Sequence, residues 1–289
     1  MTQNLFHDNE PPKGTKIGER LALGEDIFVE VSHGPTLIDN NIFLSYHSIR
    51  LSTQGVAMVH NLIAGSFTWV GGGTDNGGHR FPTTRYTPYH VPHRTEVAGF
   101  MSILHGDDRF YNNIFVKRPD RQDLIDFGKT SEDPRMYETI CGTKPFDGYP
   151  DPETYFAQFS KITTQDRSYR DLYYDHLPVY TGGNVFFNGA KPCDTEKNFA
   201  EDTEHEVKLE LREQDGRYYV DTNLYEYLPE LETPFVSTEL LGEAFEPEQK
   251  FENPDGSPIL FDSDYFGAHR GIHPVPGPFE KKTDEAVFE

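Results

Sequence analysis

The sequence predicts an all-β fold: a right-handed parallel β-helix with loop excursions and a C-terminal β-hairpin. Three observations carry that expectation. A phrase of asparagine followed by apolar residues recurs along positions 1–200, the composition is rich in turn formers and aromatics, and a strong hairpin signal follows. The hydrophobic fraction is only 35%, against Gly 25, Pro 21, Tyr 16 and Phe 22, which suits short strands and many turns better than a helical bundle.

The phrase is seen in Gln3-Asn4-Leu5-Phe6, Asn40-Asn41-Ile42-Phe43, His60-Asn61-Leu62-Ile63, Asn112-Asn113-Ile114-Phe115 and Gly183-Asn184-Val185-Phe186. Asn41 and Asn61 are 20 positions apart, a spacing in the range of stacked β coils. In a β-helix each coil lays a short apolar strand beside the next. Asparagines at the adjoining turns then hydrogen-bond along the axis and satisfy backbone that would otherwise be buried unpaired. Asn-apolar phrases also arise by chance at strand starts of any β protein, and an antiparallel meander of these segments would exclude the coil. The first copy begins at residue 3, leaving no room for a capping turn. The helix is therefore expected to lack its N-terminal coils. Residues Met1 to Phe6 are expected to form an edge strand with an uncovered apolar face, favouring a homo-oligomer.

Residues 1–200 are read as coils with catalytic loops and a charged excursion at 117–182; residues 201–289 are read as a hairpin and an extended tail packed on the helix. Inside the excursion, Asp151-Pro152-Glu153 signals an N-cap followed by proline in a first helical turn. Farther on, Val207-Lys208-Leu209-Glu210-Leu211 alternates, Asp215-Gly216 turns and Tyr218-Tyr219-Val220 returns. Asn253-Pro254-Asp255-Gly256 marks another turn, and Pro274-Val275-Pro276-Gly277-Pro278-Phe279 is expected to run extended over the surface.

At 289 residues the chain is long enough for a sizeable core, and its net charge of −22 argues against nucleic acid or an anionic membrane as the main partner. The same charge disfavours anionic polysaccharides and is compatible with a neutral glycan. Cys141 and Cys193 are the two cysteines, too few for a disulfide framework. No apolar run reaches the ~20 residues of a membrane span, and the polar N-terminus lacks signal-peptide order. A cytoplasmic location is the resulting expectation.

The chemistry is concentrated between Trp69 and Glu96. Two carboxylates, Asp75 and Glu96, stand 21 positions apart among glycines, cations and aromatics. Hydrolysis of a sugar acetal needs one carboxylate to attack or to activate water, a second to donate a proton, and aromatic faces for the ring. Each residue also has a plainer reading. Asp75 can brace a tight turn, Glu96 can pair with Arg94, and Trp69 can be a core aromatic. Asp39 and Glu30 are rival acids on strand-like segments, Asp107 and Asp108 read first as turn residues, and Val97–Met101 reads as a strand entering the core. The histidines His33, His60, His79, His90, His93 and His105 show no helical ligand pair, so no metal is expected. Gly71-Gly72-Gly73 lacks the Gly-Lys-Ser/Thr ending of a phosphate loop, so no nucleotide cofactor is expected either.

Together, Thr74-Asp75-Asn76-Gly77-Gly78, Arg85-Tyr86-Thr87-Pro88-Tyr89-His90, His93-Arg94-Thr95-Glu96-Val97-Ala98-Gly99 and His105-Gly106-Asp107-Asp108-Arg109-Phe110-Tyr111-Asn112-Asn113 resemble glycoside hydrolase family 120. The resemblance runs from about Asn4 to the closing Asp264-Tyr265-Phe266-Gly267 segment and beyond, although members of that family are considerably longer. It implies a β-xylosidase on a right-handed parallel β-helix, releasing xylose from the non-reducing end of xylo-oligosaccharides with retention. The family's aspartate nucleophile and later glutamate acid/base fall on Asp75 and Glu96, with Asp39 the rival nucleophile. Trp69, Arg80, Tyr89, His93 and Arg94 become candidates for holding the sugar or orienting the acids. Two other readings stand beside it: a polysaccharide lyase recruiting Asp107, Asp108 and Arg109, and a non-catalytic glycan-binding remnant.

Overall fold

Each asparagine phrase marks a corner where the chain turns from one parallel sheet into the next. The computed structural model describes residues 1–13, 24–70, 86–130, 140–160, 176–281 and 285–288. Its first strands are β1 (Leu5–Phe6), β2 (Ile27–Glu30), β3 (Thr36–Asp39), β4 (Ile42–Phe43), β5 (His47–Ser52), β6 (Val56–Val59), β7 (Leu62–Ile63) and β8 (Ser66–Val70). An antiparallel pair, β9 (Tyr86–His90) and β10 (Val97–Ser102), precedes β11 (Asp108–Tyr111) and β12 (Ile114–Val116). Helices α1 (Gln122–Thr130) and α2 (Pro152–Phe159) follow, then β13 (Val179–Gly182), β14 (Val185–Phe187) and β15 (Ala200–Glu201).

Among the described residues the strand orders are β1-β4-β7-β12-β14-β15, β13-β11-β6-β3 and β2-β5-β8, and every pairing within these three sheets is parallel. From β2 to β8 the chain visits the three sheets in rotation. The five phrases fall in register as the sequence suggested: Leu5 opposite Ile42, Ile42 opposite Leu62, Leu62 opposite Ile114, and Ile114 opposite Val185. An antiparallel meander of these segments is excluded.

The order of residues within the phrase has a packing reason. The residue before each ladder asparagine has positive φ: Gln3, Asn40, His60, Asn112 and Gly183 lie between 50° and 73°. Asn and Gly tolerate this left-handed bend best, and here it turns one sheet into the next. The first apolar residue then points outward, so that Ile42, Leu62, Ile114 and Val185 share a cluster with Val207, Val220, Leu224 and Phe279. The next points inward, where Phe43, Ile63, Phe115 and Phe186 meet Met58 and Phe110. Phe6 stacks on Phe43 at 5.0 Å and Phe115 on Phe186 at 5.1 Å between ring centroids. Because both faces are covered, the strands read as continuous apolar runs rather than as an alternation.

Asparagine amides run through the corners as a one-way chain. Asn4 Nδ2 donates to Asn41 Oδ1 at 2.9 Å, Asn41 to Asn61 at 3.1 Å, Asn61 to Asn113 at 3.0 Å and Asn113 to Asn184 at 3.1 Å. Each acceptor oxygen also takes the backbone N–H of the donor residue, at 2.9–3.0 Å. The remaining amide protons of Asn61, Asn113 and Asn184 go to Ile38, Met58 and Phe110 carbonyls. The chain ends on a group with no proton to pass on when ionised: Asn184 Nδ2 donates to Glu196 Oε1 at 2.7 Å, and Thr143 Oγ1 donates to Glu196 Oε2 at 2.7 Å. Burial raises the Glu196 carboxyl from its usual 4.5 to about 7, against the lowering effect of these hydrogen bonds.

The excursion at 117–182 is not wholly outside the three parallel sheets. Phe67 N donates to Ile140 O at 3.0 Å, and Cys141, Phe146 and Tyr149 enter the inward cluster. Both cysteines are buried free thiols. Helix α2 begins as expected, with the Asp151 side chain accepting from Thr154 N. The first phrase is better covered than expected: Leu5 and Phe6 are half-buried and pack against the outward and inward clusters, respectively.

The C-terminal part adds β16 (Leu209–Gln214) and β17 (Arg217–Thr222), joined by Asp215 and Gly216, both at positive φ as a tight hairpin turn requires. Short helices α3 (Leu224–Tyr227) and α4 (Thr238–Leu241) come next, with the pair β18 (Glu243–Ala244) and β19 (Gln249–Lys250). A final strand, β20 (Glu285–Phe288), joins β17 antiparallel and was not foreseen. The segment Pro274–Phe279 does not lie over the surface as its prolines suggested. Phe279 is buried, Gly277 N donates to Asn112 O, and the buried Arg270 donates to the Val275 and Gly277 carbonyls and to Asn40 Oδ1. That guanidinium captures the carbonyls that proline-interrupted backbone cannot pair in a ladder. Among the described residues no helix is long and apolar enough to cross a membrane.

Replacing a central ladder residue strips partners on both sides. Asn113→Ala is expected to lower unfolding free energy by ~2–4 kcal/mol in urea titrations, since several buried polar groups lose their partners. The pH response of Glu196 has a definite sign. With a raised folded-state pKa, its contribution is fully present below about 4.5 and is lost as pH rises through about 7. Glu196→Gln keeps an acceptor for Asn184, so wild type is expected to lose stability relative to this variant between pH 5 and pH 8.

Candidate functional site

The glutamate predicted as acid/base stands at the tip of a hairpin projecting from the three-sheet body. Strands β9 and β10 pair antiparallel, with Phe100 opposite Pro88 and Met101 opposite Thr87. Their connection closes through Val91 N to Glu96 O and Arg94 N to Val91 O, both 3.0 Å, with His93 at φ 59°. Val97–Met101 was expected to enter the core, but Val97 is 49% exposed and Phe100 67% exposed. Among the described residues this strand pairs with β9 alone, and it becomes buried from Ser102 onward. A two-stranded ribbon with one face free does not need the strict alternation of a core strand, so the apolar residues misled.

At the tip, Arg94 Nη1 lies 3.1 Å from Glu96 Oε2, with both side chains about two-thirds exposed. Glu96 thus keeps the ion-pair partner that its plainer reading supplied. His93, Arg94, Thr95 and Glu96 line one side of an open cleft of about 600 Å³, and Gln249 of β19 lines the other. That volume is in the range of small-ligand sites. His93 Nε2 lies 2.7 Å from Glu252 Oε1. Gln249 and Glu252 were not singled out from sequence; nothing in a polar run so far from Glu96 signals that it folds back against the hairpin.

Tyr89 has a packing role instead of a place in this cleft. It is half-buried, its ring meets His33 edge-on at 5.7 Å, and a Cβ on Gly99 would stand within 2.9 Å of it. Glycine at position 99 is what lets the tyrosine lie across the partner strand. Trp69 is on β8, its backbone paired opposite Arg50, and its side chain lies outside the description. Asp75 and Arg80 lie outside the described residues. Hence His93, Arg94 and Glu96 are brought together, and Tyr89 is set apart from them by its packing.

The rival acids are committed elsewhere. Asp39 is buried and accepts from Thr2 Oγ1 at 2.8 Å and Asn40 Nδ2 at 3.2 Å, with burial pushing its carboxyl upward. Glu30 ends β2 exposed. Asp107 and Asp108, read as turn residues, are both buried. Asp108 Oδ1 accepts from Val56 N at 3.0 Å, and burial drives its carboxyl well above the usual carboxylate range. Asp107 pairs with Arg109 at 2.6 Å and accepts from Phe245 N at 2.8 Å; burial raises its carboxyl and Arg109 opposes that. Arg109 donates to the Leu241 and Glu243 carbonyls and lies 4.8 Å from the ring centroids of both Tyr180 and Phe251. These charges fasten residues 241–251 onto the sheet of β11, and so they hold Gln249 and Glu252 where they face the hairpin tip.

No protein-family model and no curated protein matches the chain. Among solved structures it is similar to XylC in its complex with xylose, at 28% sequence identity and a TM-score of 0.74 over 99% of this chain. The chain spans 38% of the length of that XylC chain.

Breaking the buried anchor should release the wall that carries Gln249. Arg109→Met leaves the buried Asp107 carboxyl group without its ion-pair partner, and a loss of ~3–5 kcal/mol in unfolding free energy is expected. Limited proteolysis should then cut first within 242–252; a cleavage pattern unchanged from wild type would show that the ion pair does not hold this segment.

Proposed function

We propose that the chain is a glycosidase acting on β-linked xylose at the non-reducing end of xylo-oligosaccharides, by a retaining mechanism on a parallel β-helix. The observation that carries this reading is the likeness over 99% of the chain to XylC, solved with xylose, together with Glu96 on an open cleft. The rotation of the chain through three parallel sheets supports the β-helix.

In this mechanism Asp75 attacks the anomeric carbon while Glu96 gives its proton to the leaving oxygen, and the glycosidic bond breaks. Glu96, now ionised, takes a proton from water, which displaces Asp75 and frees the sugar. Arg94, 3.1 Å from Glu96, is placed to orient its carboxyl group. A neutral substrate agrees with the net charge of −22. The lyase reading loses support because Asp107, Asp108 and Arg109 are buried in structural contacts. A glycan-binding role without catalysis is the second reading, favoured by the exposed ion pair that ties Glu96 to Arg94.

Turnover of an aryl β-xyloside, with an aryl arabinoside as comparison, is the direct assay. The xyloside is expected to be the better substrate; xylobiose bound without turnover of either glycoside would favour the second reading. Asp75→Ala should abolish turnover of every substrate. Glu96→Ala should slow the first step ~10²–10⁴-fold where the leaving group needs protonation and far less where it is a good one. Retained turnover in Asp75→Ala would end the assignment.

A further inference from the structure

The hairpin that carries Glu96 is long and largely exposed, yet a general acid works only if it is held still. Its described attachments to the body are few. Near the base, His33 Nε2 lies 3.2 Å from Thr87 O and His33 packs edge-on against Tyr89. At the tip the attachment is His93, whose Nε2 lies 2.7 Å from Glu252 Oε1.

Glu252 is suited to act as a fixed post. Its side chain is only 12% exposed, whereas those of Arg94 and Glu96 are 66% and 65% exposed. It follows the buried Phe251, against which Arg109 stacks, and precedes a braced turn. In that turn Asn253 N donates to Ser257 O, Gly256 N to Asn253 O, and Ser257 Oγ to Asp255 Oδ1. The His93 ring lies over the same turn, where a Cβ on Gly256 would come 3.8 Å from His93 Cε1. A carboxylate accepts hydrogen bonds and a ring N–H donates them, so this contact sets the direction of the His93 ring.

We infer that Glu252 is a positioning residue: through His93 it holds the Val91–Glu96 turn so that Glu96 meets the leaving oxygen. This rests on the reading of Glu96 as acid/base, and it assigns His93 to holding the turn rather than to gripping the sugar. A displacement of the acid of about 1 Å is enough to cost ~10²-fold in rate. The loss should appear only where proton donation limits the reaction.

The experiment compares wild type with Glu252→Ala and Glu252→Gln on two aryl β-xylosides, one with a strongly acidic phenol and one with a weakly acidic phenol. Amide hydrogen exchange across 86–102 is measured on the same proteins without substrate. Glu252→Ala is expected to lower kcat/KM on the weakly acidic phenol by about 10- to 100-fold, leave kcat/KM on the other within about twofold, and speed exchange at residues 91–95. Glu252→Gln, which still offers an acceptor oxygen, should show the same pattern more weakly. Equal losses of kcat/KM on both xylosides, or unchanged exchange at the tip, would overturn the inference. If wild type turns over neither xyloside, the glycosidase reading fails and the catalytic part of the inference with it. The exchange data then still decide whether Glu252 holds the turn.

Discussion

The asparagine chain from Asn4 to Glu196 is the constraint on which the other features depend. Each amide has one acceptor and one donor side, so once Asn184 donates to Glu196 the direction of every earlier link is set. A donor-only or acceptor-only side chain inside the series would leave a buried group unpaired at a cost of ~1–3 kcal/mol. Only at the end does a carboxylate fit. The desolvation that accompanies this place is also why the Glu196 carboxyl rises to about 7. Register follows directly: a slip of one residue would break the amide links and exchange the inward aromatics for the outward aliphatics.

With the corners fixed, the sheets are committed to packing, and chemistry is left to what projects from them. The outward face of the β1-to-β15 sheet is covered by Val207, Val220 and Phe279, and that of the β6–β11 sheet by Val236, Leu241 and Phe251. The second cover is more than insulation. Held by the Asp107–Arg109 pair, it brings Gln249 and Glu252 against the tip of a hairpin that leaves the chain more than 140 positions earlier. The cleft is therefore an indirect product of sheet packing, and its geometry is only as firm as the buried ion pair beneath it.

Much of the frame was legible because its physics is local. An asparagine after a left-handed residue, followed by two apolar side chains, specifies a corner, an outward contact and an inward one, and five copies align in the structure. The Asp215-Gly216 hairpin and the Asp151-Pro152 helix start were readable for the same reason. What failed depended on distant partners. Pro274–Phe279 reads as a surface tail until Arg270 supplies donors for its carbonyls. Asp107 reads as a turn residue until a segment more than 130 positions later covers it, and Asp108 until Val56 N, 52 positions earlier, donates to its carboxyl group. At the candidate site, the closeness of His93, Arg94 and Glu96 was readable because they are near in sequence. Gln249 and Glu252 were missed because only the fold brings the first to the cleft and the second to His93.

The functional account turns on two carboxylates acting from opposite sides of one glycosidic bond, with Glu96 held at the hairpin tip. If Asp75 is the nucleophile, the two must approach to ~5–5.5 Å, close enough for covalent capture and too close for a water between them. The most direct measurement is proton NMR of the first sugar released from an aryl β-xyloside, recorded before mutarotation. The account predicts β-xylose as the first product. Release of α-xylose first would mean inversion, with carboxylates ~6.5–9.5 Å apart and no covalent intermediate, and would contradict it.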